Sequence, residues 1–158
     1  MGDISIHLAG IKVRTSGAGV AIGAYDGARV YVDGRVEFAG SADANMLAHG
    51  PGSTIIVNSN YTISGERSAY HWVAEYGGAG VFDQDHTIDI VGVPFFEQQF
   101  ALADGLGIIY CAGNTYTGRA RGIRYAATKG GIINTIGEDA LYLPGDAAGV
   151  VNTGGGYF

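Results

Sequence analysis

The chain has a single cysteine, three prolines, charged residues at only 15% of its length, and no apolar run long enough to span a membrane. Each scarcity excludes something. One cysteine, Cys111, excludes an intrachain disulfide and any cysteine-based zinc site. Few prolines rule out collagen, which the 28 glycines in 158 residues would otherwise suggest. Low charge beside ten tyrosines and six phenylalanines is the reverse of a disordered composition. A formal net charge of −6 leaves no basic stripe to replace counterions on phosphate, so no nucleic-acid partner is expected. The only basic cluster along the sequence, Arg119, Arg121 and Arg124, reads as surface solubility. Membrane insertion is not expected, Met1-Gly2-Asp3 begins no signal peptide, and the abrupt start suggests a fragment of something longer. Helical stripes are scarce, because glycines interrupt most windows.

What is present is a repeat. Five strand-like stretches end in Gly40, Gly65, Gly92, Gly118 and Gly145, spaced 25, 27, 26 and 27 residues apart. Two residues before these glycines stand Phe38, Ile63, Ile90, Tyr116 and Leu143; four before stand Val36, Tyr61, Ile88, Asn114 and Leu141. Between them, at three before, stand Glu37, Thr62, Asp89, Thr115 and Tyr142. That is the alternation of a half-buried strand, repeated in register. A second landmark, Ala24, Ala48, Ala74, Ala103 and Ala127, keeps step ahead of glycine turns.

A period near 25 residues made of short strands and tight turns predicts an all-β fold. The expected form is a right-handed, single-stranded parallel β-helix of five to six coils, with an antiparallel β-sandwich as runner-up. Residues 1–145 form the coils in this reading, and 146–158 form a capping tail in which the repeat dissolves. Like residues then stack in ladders, the alanines at a corner too tight for a larger side chain.

The last 37 residues carry four short motifs: Gly122-x-Arg124-Tyr125; Gly131-x-Ile133-x-Thr135-x-Gly137; Tyr142-x-Pro144-Gly145; and Gly155 with Tyr157. This ending resembles the C-terminal end of bacteriophage and prophage tail-fibre or tailspike proteins, and covers about a quarter of the chain. Ile136 stands where such endings often have another glycine. The resemblance implies a viral, virion-associated homotrimer at the distal end of the tail, a receptor-binding module that recognises bacterial surface polysaccharide. It also implies that Tyr142, Tyr157 and Phe158 pack around a threefold axis. Pro94-Phe95-Phe96 lies on an arc two to three residues longer than its equivalents, and the exposed pair Phe95 and Phe96 is expected at a subunit contact.

Some tailspikes cleave host polysaccharide, a reaction that needs a pair of carboxylates. In Phe-Asp-Gln-Asp-His, residues 82–86, an extended strand would put Asp83 and Asp85 on one face at about 6.5–7 Å, compatible with an inverting glycosidase. Two acids at a strand end are more often merely solvated, so an enzyme is the alternative and a binding module the main reading. Trp72 and Tyr76, with His86, are candidates for stacking against sugar rings, although Trp72 is equally placed to face a core. The four histidines show no ligand spacing, and neither metal nor cofactor is expected.

Overall fold

Alternation inside short strands, repeated at one coil length, lets each coil bury its inward residues only against the coils above and below it. The computed structural model, which describes residues 5–158, has that arrangement. Its eighteen strands fall into three parallel sheets and no helix occurs among the described residues. The first sheet stacks Ser5–Leu8 (β1), Arg29–Val32 (β4), Thr54–Val57 (β7), Gly80–Asp83 (β10), Ile108–Tyr110 (β13), Ile132–Asn134 (β16) and Gly156–Tyr157 (β18). The second stacks Ile11–Val13 (β2), Val36–Phe38 (β5), Tyr61–Ile63 (β8), Thr87–Ile90 (β11) and Thr115–Thr117 (β14). The third stacks Ile22–Tyr25 (β3), Ser41–His49 (β6), Arg67–Glu75 (β9), Phe95–Asp104 (β12), Arg121–Thr128 (β15) and Val150–Val151 (β17). One chain therefore winds through about six turns of a parallel β-solenoid, the coils visiting the three sheets in order except the last, which forms no strand in the second sheet.

Inside, ladders of like residues form the core. Val30, Ile55, Val81, Ile109 and Ile133 pair in register and are buried. Each contributes about 1.5–3 kcal/mol of transfer free energy. The alanine column holds through Ala24, Ala48, Ala74, Ala103 and Ala127, consecutive partners that are all without exposure.

Two expectations shift in detail. Phe38 and Ile63 pair as anticipated and Ile90 joins them, but Tyr116 pairs with Ile88, so it extends the Val36–Tyr61–Ile88 ladder instead. Thr117, not Thr115, is thus the outward partner of Asp89. The cause lies in the third sheet, where a bulge between Phe96 and Gln99 adds residues to that coil. The long arc after Gly92 is this bulge, and Phe96 itself turns inward. In the last coil Leu143 is buried but Leu141 is 67% exposed, and no strand forms there. Beyond Pro144 the coil pattern continues, with β17 on β15 and β18 on β16.

Candidate functional site

An interior ladder of valines is interrupted at one rung by an acid. Leu8, Val32 and Val57 are followed in register by Asp83, which has no exposure. A carboxylate in an apolar column costs several kcal/mol unless both oxygens find donors. Here they do. Tyr61 donates its hydroxyl to Asp83 Oδ2 at 2.8 Å, and Nδ1 of His86 meets Oδ1 at 2.9 Å.

The network runs deeper. Ser41 and Ser68 donate to Asn45 Oδ1 at 2.8 and 3.1 Å, which fixes the amide and points its NH2 at His71 Nδ1, 3.0 Å away. His71 Nδ1 is then the acceptor, so its proton sits on Nε2, 2.8 Å from the Tyr61 oxygen. All donors point one way, from the serines' amide partner through His71 and Tyr61 to Asp83. Burial pushes the His71 pKa down to about 3, keeping the ring neutral. Burial, then the Asp83 charge, pushes the Tyr61 phenol well above its ordinary value, keeping its proton for Asp83. Phe38, Trp72, Phe96 and Phe100 pack around the His71 ring at 4.8–6.1 Å between centroids.

At the outer end the turn is clamped between coils. Asn114 Oδ1 accepts from the His86 amide at 2.9 Å, and Asn60 Oδ1 accepts from the Thr87 amide at 2.8 Å. Asp83 thus orients His86 through Nδ1, and among the described residues no hydrogen bond reaches its Nε2. One half of a general-base arrangement is present.

The sequence-derived site residues fare differently. Asp83 and Asp85 do not form a facing pair: β10 ends at Asp83, Asp85 has φ +59°, and it is exposed beside Gly113 while Asp83 lies in the core. The turn, which sequence alternation ignores, reverses the direction. Trp72 is buried in register with Met46 and Ala101, so it is a core residue with no ring face for a sugar. Tyr76 is 54% exposed in the turn after β9, whereas His86 sits mostly buried between β10 and β11, so the three do not share a surface.

Of the expected contact residues, Phe96 is in the core. Tyr142 spends its hydroxyl inside the chain, donating to Cys111 O at 2.9 Å and accepting from the Asn114 amide at 2.7 Å. Tyr157 stacks on Tyr125 with centroids 4.1 Å apart and donates to Asp139 O. Phe95, under the Arg121 guanidinium at 5.5 Å, and Phe158 remain exposed. Among the described residues no three His, Cys, Asp or Glu side chains converge as a metal site.

Asn45, His71 and Tyr61, which complete the Asp83 network, carry no motif. Their only signal in sequence is a polar residue at an inward position of a repeat. Comparison with protein-family models, with curated proteins and with solved structures finds no match to this chain.

Proposed function

We propose that the chain is an adhesive module of the phage tail-fibre or tailspike kind, a homotrimer that holds bacterial surface polysaccharide at the distal end of a virion. The observation that carries this reading is the unequal dressing of the solenoid's faces. The outer column of the first sheet runs Tyr31, Ile56, Phe82 and Tyr110 on consecutive rungs, with Ile108 and Ile132 beside it. Phe82, Ile108 and Ile132 are each 37–38% exposed. The outer column of the second sheet instead runs Lys12, Glu37, Thr62, Asp89 and Thr117. A continuous apolar stripe of this kind marks a surface for a partner, and three copies laid side by side around an axis bury it while leaving the polar face outward.

Ile136 adds support. It has φ +57° while 67% exposed, a conformation a β-branched side chain strongly disfavours and a glycine adopts freely. Tail-fibre endings often have glycine at that place. The test is solution mass by light scattering on a sizing column, with three times 16.3 kDa expected. A clean monomer across micromolar concentrations refutes the trimer.

A further inference from the structure

We infer that the concave corner between the second and third sheets, lined by Lys12, Arg14 and Arg67, is a binding site for a carboxylate-bearing segment of polysaccharide. The inference rests on the adhesive reading above and names the class of glycan. It begins from a concentration of charge that the linear sequence hides. Lys12 and Arg14 come from the first coil and Arg67 from the third, 53 positions beyond Arg14 in the chain, yet all three line one cavity of about 560 Å3. Arg35 lines an adjoining groove that shares Lys12. Three of the chain's nine cationic residues thus line one cavity on a protein of net charge −6, and Arg35 stands in the groove beside it with Glu37 and Asp89.

The concavity has a structural cause. Gly40 and Gly65 stack backbone on backbone at the corner; a Cβ on Gly65 would lie 2.2 Å from the Gly40 nitrogen. With no side chain possible there, the floor stays bare and the cations stand as walls. The volume is within the range of small-molecule sites. Two coil steps separate Arg14 from Arg67, about 10 Å along the column, which suits a short stretch of sugar better than a long polyanion.

The walls match a carboxylate. Guanidinium groups bind it bidentately, and two spaced along the column fix the register of an oligomer that carries a carboxylate on successive sugars. The Arg14 side chain has no hydrogen-bond or ion-pair partner among the described residues. Arg67 is tied to Glu97 at 3.1 Å and Lys12 to Glu37 at 2.6 Å; the two cationic side chains are more than half exposed and the two glutamates about a third. These exposed pairs are worth little and exchange readily for a ligand anion. Ser16 and Glu66 at the same cavity supply a donor and an acceptor for sugar hydroxyls.

The experiment is calorimetric titration of the full chain at low salt with short oligogalacturonate and with hyaluronan oligosaccharide. The comparison ligands are methyl-esterified oligogalacturonate, a glycerol-phosphate oligomer and oligo-dT. A uronate oligomer is expected to bind, with affinity falling about tenfold on methyl esterification and about tenfold in each of Arg14→Gln and Arg67→Gln, the loss of one charged hydrogen-bonding partner. Added salt weakens it. Arg119→Gln, in a groove at the other end of the column, leaves it unchanged. Both site arginines are exposed, so their variants keep the parent melting temperature.

Equal affinity for the methyl ester, or unchanged affinity in both arginine variants, overturns the inference. So does binding of the phosphate oligomer or oligo-dT in preference to the uronates, or no binding to either uronate. A monomer that still binds uronate through Arg14 sinks the trimer alone; a trimer that ignores uronates sinks this site alone.

Discussion

Asp83 shows how a residue can mislead when read without its neighbours. An aspartate two positions from another, at the end of a strand, reads as solvated or as half of an acid pair. It lies instead in the core because Tyr61 from the preceding coil and His86 from its own turn reach it, at distances no sequence spacing encodes. The same burial gives His71 a measurable role. Its native pKa of about 3 lies below the ordinary 6.5, so the unfolded chain binds a proton that the folded chain refuses. Stability from this group is complete above pH 6.5 and is lost as pH falls from there toward 3, at about 1.4 kcal/mol per unit. Urea unfolding at pH 7 and pH 5 is expected to show about 2 kcal/mol more loss in the parent than in His71→Gln. Equal losses in the two proteins would mean that His71 is protonated in the native core.

At the scale of elements, the stacking of coils is most demanding where chain meets chain. The residues preceding the first-sheet strands are Ala28, Ser53, Ala79, Gly107, Gly131 and Gly155, a column of small side chains. Its last three members leave no room: a Cβ on Gly131 would lie 2.2 Å from the Ala103 carbonyl oxygen, and Gly107 and Gly155 meet Ala74 and Ala127 at 1.9 and 2.2 Å. Backbone oxygen cannot swing aside as a side chain does. Gly131→Ala is therefore expected to cost about 2–3 kcal/mol as overpacking, read as a lowered urea midpoint, whereas Gly137→Ala meets nothing within 4 Å and pays only the strain of its positive φ. A Gly131→Ala protein as stable as the parent would show that the coils separate more easily than this stacking allows.

The alanine column and the inward ladders were legible in sequence because period two and a coil length near 25 are both one-dimensional facts. The register of Tyr116 was not. Aligning Gly118 with Gly92 assumes coils of similar length, but the bulge after Phe96 lengthens one, and Gly118 packs over Ile90 instead. The Lys12, Arg14 and Arg67 cavity was illegible for a different reason. It is assembled from separate coils, while the one basic cluster visible along the chain, around Arg121, lies elsewhere.

For the whole molecule, the decisive property is that its faces differ. A solenoid repeats one coil, yet the outer column of the first sheet stays apolar over four rungs, with Phe82 exposed in it and Ile108 and Ile132 exposed beside it. In a lone column those side chains invite aggregation; in a trimer they are the interface. Charging that stripe separates the two cases. Phe82→Glu with Ile108→Glu points two carboxylates outward from rungs whose inward neighbours, Val81 and Ile109, are untouched, so the fold and its circular dichroism are expected to persist. Three copies then bring six carboxylates toward a shared axis, and the mass is expected to fall from trimer to monomer at micromolar concentration. Thr62→Glu, on the polar outer face of the second sheet, serves as the control and leaves the mass unchanged. A double variant that remains trimeric moves the contact away from the first sheet, toward the exposed rings of Phe95 and Phe158, and removes the apolar stripe as the reason for assembly.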